Sequence, residues 1–202
     1  MDTYVINLDR RPDRLIKFNN HAKLAGVTAK RMEAVDGKSL STQEHWLTKY
    51  NNLDRIRYLK KGEIGSYLSH YKCFEDSTTP EVMIFEDDAK LPMGFWYMYE
   101  QVRQSLPDDY DIALLGTTSL WQRKYKSKCK CIWENDIWAR YEGDIYGLQG
   151  YLINRKAINH LLDCKYPISC PNDIKFNNVG LKVYVLKVDL VPTNRLGSDA
   201  QH

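Results

Sequence analysis

No apolar run in these 202 residues approaches the roughly 20 that a membrane-spanning helix requires. The first residues, Met1-Asp2-Thr3-Tyr4-Val5-Ile6-Asn7, lack the basic start and long apolar stretch of a signal peptide, so no leader is expected. Charge of one sign is not in large excess either. The 29 Lys and Arg against 26 Asp and Glu leave a net +3, far short of a nucleic-acid binder. Internal repeats, low-complexity segments and a Cys-x₂-Cys knuckle are all missing. Five cysteines cannot all pair, and they read as reduced thiols of a cytoplasmic protein, at most peripheral to a membrane. Cys129 and Cys131 form a Cys-x-Cys with Cys164 and Cys170 beyond it, but lysines crowd the pair, so free thiols are expected rather than zinc. A 43% hydrophobic content with 12% aromatics suffices for one sizeable core, hence one domain.

What is present alternates between strand and helix. Tyr4 to Leu8 reads as a strand, and Asp9 is placed to cap a helix whose Leu15, Phe18, Ala22 and Ala25 recur at helical spacing until Gly26. Thr28 to Val35 reads as a second strand closed by Asp36-Gly37, and Ser41 with Glu44 has capping-box spacing. A helix is expected over Lys60 to Tyr71, with Ile64, Leu68 and Tyr71 on one stripe. Phe95 to Leu106 follows as helix, Asp111 to Gly116 and Leu148 to Ile153 as buried strands, Arg155 to Leu162 as helix and Val183 to Val188 as a last strand. This order predicts an α/β fold with helices on a mostly parallel sheet. Between Trp121 and Cys131, Lys124, Lys126, Lys128 and Lys130 fall at every second position. That spacing suits a solvated edge strand or a loop that attracts an anion. The five tryptophans suit core packing or a sugar-stacking platform.

The most informative stretch is Val82-Met83-Ile84-Phe85-Glu86-Asp87-Asp88, a fully apolar strand ending in three acids. Ligands of open α/β sheets bind at the carboxyl ends of strands, and clustered carboxylates suit Mg²⁺ or Mn²⁺. Acids also cap the helix that follows a strand, and Asp87 or Asp88 fits that role near Met93.

Several words in this order resemble glycosyltransferase family 25, which includes bacterial lipopolysaccharide galactosyltransferases and the enzymes that galactosylate collagen hydroxylysine. They are Tyr4-Val5-Ile6-Asn7-Leu8-Asp9-Arg10-Arg11 with Arg14, Ala34-Val35-Asp36-Gly37, and Gly62-Glu63-Ile64-Gly65-Ser66-Tyr67-Leu68-Ser69-His70. Phe85-Glu86-Asp87-Asp88-Ala89, Gly150-Tyr151-Leu152-Ile153-Asn154, Pro167 to Asp173 and Ser198-Asp199 complete the set. Ser66 departs from the pattern, standing where many relatives carry cysteine. The chain ends three residues after Asp199, so a C-terminal acceptor-binding or anchoring element is expected to be missing.

The resemblance implies a GT-A fold, a three-layer α/β/α sandwich, and inverting transfer from UDP-galactose or UDP-glucose to a glycan, glycolipid or hydroxylysine. A divalent ion would balance the diphosphate leaving group. Asp88 is then the expected metal ligand, Glu86 a second metal or nucleotide contact on the same side, and Asp87 a residue facing the scaffold. Ile6, Asn7 and Leu8 would meet the uracil, Arg10 and Arg14 the diphosphate, and Asp36 the base or ribose. Lys61, Ser69 and His70 would lie near the phosphates or sugar. Asp173 is the first candidate for general base. Asp199 is the second, or a third metal ligand, and His202 is also within sequence reach of the metal. Each has a plainer alternative: ion pairs from the two arginines to Asp13 or Glu33, a turn at Asp36, a buried hydrogen-bonded His70, a helix cap at Asp173. A nucleotidyltransferase or sugar-nucleotide hydrolase, and a non-catalytic carbohydrate- or protein-binding module, are the alternative functions.

Overall fold

Short runs of apolar, largely β-branched residues can bury both faces of a strand, and such runs form the centre of this molecule. A computed structural model describes residues 1–41, 49–52, 55–117 and 129–193. In chain order the elements are β1 (Asp2–Asn7), α1 (Pro12–Ala25), β2 (Lys30–Glu33), a 3₁₀ turn (Gly37–Ser39), β3 (Lys49–Asn52), β4 (Arg55–Tyr58) and α2 (Lys61–Asp76). Then follow β5 (Glu81–Glu86), α3 (Phe95–Arg103), β6 (Ile112–Gly116), β7 (Cys129–Glu134), β8 (Trp138–Gly143), β9 (Gly150–Asn154), α4 (Arg155–Asp163), α5 (Asn172–Asn178) and β10 (Val183–Leu186).

One sheet has the order β2-β1-β5-β9-β6-β10-β8-β7, while β3 and β4 form a separate antiparallel ribbon. β1 is parallel to both neighbours, and β6 is parallel to β10. Only β9 and β8 run against the rest, each antiparallel to the strands beside it. The mostly parallel sheet expected from the alternating order is therefore interrupted at β9, which joins its two parallel parts.

Strand alternation divides the core. Tyr4, Ile6, Val82, Ile84, Tyr151, Ile153, Val183 and Val185 point toward α2, α4 and α5. Val5, Met83, Phe85, Leu152, Tyr184 and Leu186 point toward α1 and α3 on the other side. Helices on both faces make three layers, α/β/α.

Several local expectations change. Asp9 does not cap α1. The turn from Leu8 to Arg11 carries the chain past it, Pro12 opens the helix, and Asp9 pairs with Arg31 instead. Gly26 stops α1 in the left-handed conformation at φ 68°. The capping box from Ser41 to Glu44 falls in part on residues 42–48, outside the described residues. Lys124, Lys126 and Lys128 also lie outside them, whereas Lys130 is exposed on β7, the edge of the sheet. All five cysteines are free. Among the described tryptophans, Trp138 is buried with Nε1 donating to Val102 O (2.8 Å), and Trp96 donates to Gly26 O (2.9 Å). These two therefore serve packing, while the third, Trp133, is exposed on β7 with its ring edge-on to Tyr184. No helix among the described residues is long and apolar enough to cross a membrane.

Candidate active site

The alternation that builds the two core layers also sorts the three acids at the end of β5. Glu86 continues the row of Val82 and Ile84, so it emerges beneath α2. Its Oε1 lies 3.4 Å from His70 Nε2, and His70 Nδ1 lies 2.8 Å from the Tyr151 hydroxyl on β9. Burial pushes the Tyr151 phenol well above its ordinary range. That phenol can donate to Nδ1, and the tautomer that accepts it there carries its proton on Nε2, toward Glu86.

Asp87 continues the row of Met83 and Phe85 and turns to the opposite layer. It accepts from Asn7 Nδ2 (2.7 Å) and pairs with Arg14 Nη1 (3.1 Å) on α1, with both charged side chains more than nine-tenths buried. Burial raises the Asp87 carboxyl, and Asn7 and Arg14 offset only part of that. Asn7 is steadied in turn by Arg31 Nε at its Oδ1 (3.2 Å). Asn7, Arg14 and Asp87 are thus tied to one another beneath the site.

Asp88 lies in the turn closed by Ala89 N donating to Glu86 O (3.0 Å). Its Oδ1 is buried with no hydrogen-bond partner. Burial first, then the charges of Glu86 and Asp87, push its carboxyl up to about 7, with Arg14 opposing. The capping alternative fails, because α3 begins after Gly94 and has no side-chain cap. A buried, unpaired carboxylate oxygen between like charges is an arrangement that a divalent cation would relieve. Among the described residues no three His, Cys, Asp or Glu converge on one point. Glu86 and Asp88 fit a site of the Mg²⁺ or Mn²⁺ kind, where one or two carboxylates act together with substrate phosphates and water.

These acids form one end of a cleft. Ile6 of β1 and Leu8 just beyond it, Val35 to Lys38 after β2, and Gly62, Ser66, Ser69 and His70 of α2 line it, together with Arg10 and Arg14. Two glycines set the distance between its walls. A Cβ at Gly65 would meet Val35 O at 2.6 Å, and one at Gly37 would meet Lys61 O at 2.2 Å. The sequence words Ala34 to Gly37 and Gly62 to His70 are therefore a packing pair. Ser69 fastens them, its Oγ accepting from Val35 N (2.8 Å) and donating to Gly65 O (2.6 Å). At the rim Arg10 Nε meets Asp36 Oδ2 (2.7 Å). Burial raises the Asp36 carboxyl, but Arg10 and the Lys38 amide outweigh it and hold the group below its ordinary range.

Lys61 does not line the cleft; its Nζ donates to Leu40 O (2.5 Å). Asp173 stands apart from the cleft wall, in the first turn of α5 rather than at its cap, which is Pro171. Its oxygens accept from Gly147 N (3.3 Å) and Ile174 N (3.0 Å). Burial pushes its carboxyl up to about 7, the Glu86 charge adds to this, and the two backbone bonds oppose it. Asp199 and His202 lie outside the described residues. Sequence reasoning missed Lys38 and the part played by Tyr151. Tyr151 was not findable from its own segment, because its place on the Glu86 face follows from the pairing of β9 with β5.

The description "Glycosyltransferase family 25 (LPS biosynthesis protein)" belongs to a family model that matches residues 1–176. A "Glycosyltransferase 25 family member" of Aedes aegypti is 30% identical over 194 residues, 87% of this chain and 31% of that protein. Human "Procollagen galactosyltransferase 2" is 31% identical over 123 residues, 56% of this chain and 19% of that protein. A Bos taurus relative bears the name "Probable inactive glycosyltransferase 25 family member 3", at 30% identity over 57% of this chain and 21% of its own. The chain spans about three-tenths or less of the curated relatives it matches. Among solved structures, an active-site mutant of LgtC superposes with a TM-score of 0.52 at 13% identity, covering 92% of this chain and 72% of that one. The fold is that of the GT-A glycosyltransferases, and the chain belongs to glycosyltransferase family 25.

Proposed function

We propose that this family 25 member moves a hexose, galactose or glucose, from a UDP-sugar to a hydroxyl of a glycan, glycolipid or hydroxylysine. The observation that carries the reading is the partnerless Asp88 Oδ1, buried beside Glu86 and Asp87 at the end of a cleft. Clustered acids held in this way repel one another, and a divalent cation bound with a diphosphate would turn that repulsion into binding. A metal held there by Asp88 and Glu86 would act as a Lewis acid on the departing diphosphate. The base and ribose fit the end formed by Ile6, Leu8, Val35 and Asp36, and Arg10 and Lys38 supply positive charge at the rim. Human procollagen galactosyltransferase 2, by its name, supports galactose as the sugar.

In the inverting reaction an acceptor oxygen forms a bond to the anomeric carbon as the bond to the β-phosphate oxygen breaks. The electron pair leaves with UDP, and the acceptor proton passes to a carboxylate. Asp173 is suited to that step, since a base titrating near neutrality combines ionisation with proton affinity. His70, held by Tyr151, orients Glu86. Calorimetric titration of UDP with and without Mn²⁺, on the parent and on Asp88→Ala, tests the reading. Metal-dependent binding that the substitution abolishes is expected. Binding of equal strength in both proteins, or none in a folded parent, would overturn it.

A further inference from the structure

Three side chains beyond Glu86 are buried without the partners their chemistry calls for. Thr117 Oγ1, Gln149 Nε2 and both amide atoms of Asn172 make no hydrogen bond, although the residues are only 3%, 2% and 4% exposed. Folded proteins seldom keep such groups without a use, because each gives up its water and receives nothing in return.

The three occupy one place. Phe85 pairs with Gly150 across β5 and β9, and Glu86 N donates to Gln149 O (3.1 Å), so Gln149 is the cross-strand neighbour of Glu86 on the same face. Gly116 pairs with the same Gly150 from β6, after the bulge that follows Leu114, which sets Thr117 beside Gln149 on its far side. Glu86, Gln149 and Thr117 thus form a row across two strand spacings, about 10 Å. Asn172 comes down from α5. Phe176 of that helix meets Tyr151 at 5.8 Å between rings, and Asp173 accepts from Gly147 N. One helical turn back from Phe176 is Asn172, and two strand residues back from Tyr151 is Gln149; the steps are nearly equal, about 6 and 7 Å. Asn172 therefore lies over the row. Its floor is fixed from behind, since a Cβ at Gly116 would meet Val191 O at 2.0 Å.

Resting on the nucleotide-sugar reading above, we propose that Gln149, Thr117 and Asn172 form the pocket for the transferred hexose. The sheet order β2-β1-β5-β9-β6 gives the ligand its direction. The base lies at β2 and β1 and the diphosphate at the end of β5, and whatever is joined to the β-phosphate continues over β9 and β6. Sugar hydroxyls both donate and accept, which matches a side-chain amide hydrogen, a hydroxyl and a complete amide left open. Asp173, one residue from Asn172, then stands at the same corner as the reacting carbon.

Gln149→Leu, Thr117→Val and Asn172→Leu remove the polar atoms while keeping volume, and each is titrated with UDP, UDP-galactose and UDP-glucose in the presence of Mn²⁺. UDP affinity is expected to stay within about twofold, and affinity for at least one UDP-hexose to fall about tenfold per lost hydrogen bond. Melting temperatures are expected to hold or rise, because an unsatisfied buried group has been removed. Unchanged UDP-hexose affinity in all three variants would overturn the subsite while leaving nucleotide binding intact. Absence of UDP binding in the parent would overturn the nucleotide reading and this pocket together. Thr117→Val changes shape least and carries the test if a larger replacement fails to fold.

Discussion

The two faces of the central sheet are built from the same strands, yet they differ in what they bury. Toward α1 and α3 lie Phe18, Met83, Phe85, Phe95, Leu115 and Leu152, an interior of aliphatic and aromatic groups whose one buried ion pair among the described residues, Arg14 with Asp87, is closed by Asn7. Toward α2 the same alternation brings Glu86, Tyr151 and Gln149 to the side of His70, and there the Gln149 Nε2 lacks a partner, as do both amide atoms of Asn172 on α5. The first face is built to hold the fold, and the second, on the function proposed above, gives up some packing to hold a ligand. Sites that keep unpaired polar groups sacrifice stability locally, and the opposite layer supplies it.

Asp173 offers the largest break in that comparison. Asp173→Asn is expected to lower turnover by about two to four powers of ten, the usual worth of a positioned base. The pH dependence follows from its carboxyl, which titrates at about 7 in the folded chain against an ordinary 3.8. The folded state binds the proton more tightly, so the stabilisation is complete below about 4 and is lost as pH rises through 7. Parent activity should fall as pH drops below 7 while its melting temperature rises. Asp173→Asn should remove that acid limb and lessen the pH dependence of the melting temperature between pH 4 and 8, what remains belonging to Asp88. An unchanged rate profile in the variant would assign the proton to another group.

The opposite face provides the second test. Met83 is fully buried between β1 and β9, against α1 and α3. Met83→Ala should cost about 2–5 kcal/mol in denaturant unfolding. Activity per folded molecule should be nearly unchanged, because the residue touches nothing in the cleft. A large loss of turnover at full folding would show that the two layers are coupled.

Much of this division was legible in the chain. Strands β1, β5, β6, β9 and β10 announce themselves as apolar runs, and the acids after Phe85 mark the end of β5 at which the cleft lies. The expected orientation of Glu86 and Asp87 follows from a period of two and agrees with where His70 and Arg14 receive them. Pairing between distant segments was not legible. Nothing local shows that β9 inserts antiparallel between β5 and β6, yet that insertion brings Gln149 beside Glu86 and Tyr151 beneath His70. Hairpin β7–β8 was legible only in part: the alternate lysines suited a solvated edge strand as far as Cys131, whereas β7 runs from Cys129 to Glu134 and nothing local marks β8 as its partner. The Gly37 and Gly65 words looked like ligand contacts, and close backbone packing accounts for both glycines.

The smallest effect falls on Tyr151, where the two roles meet. Its ring packs on Phe176 in the core while its hydroxyl holds His70 Nδ1. Tyr151→Phe keeps the ring and removes only the hydroxyl, leaving the imidazole free to choose its tautomer. If His70 serves to orient Glu86, the Mn²⁺ concentration that half-supports UDP binding should rise about tenfold, the lower end for a lost outer partner of a metal ligand. UDP affinity at saturating Mn²⁺ should then return to the parent value, since the carboxylates themselves are intact. A purely structural hydroxyl would behave differently: unfolding free energy would drop by about 1 kcal/mol and the metal requirement would not move. The ratio of these two shifts measures how far the polar face is arranged for binding rather than for folding, at the one residue that does both.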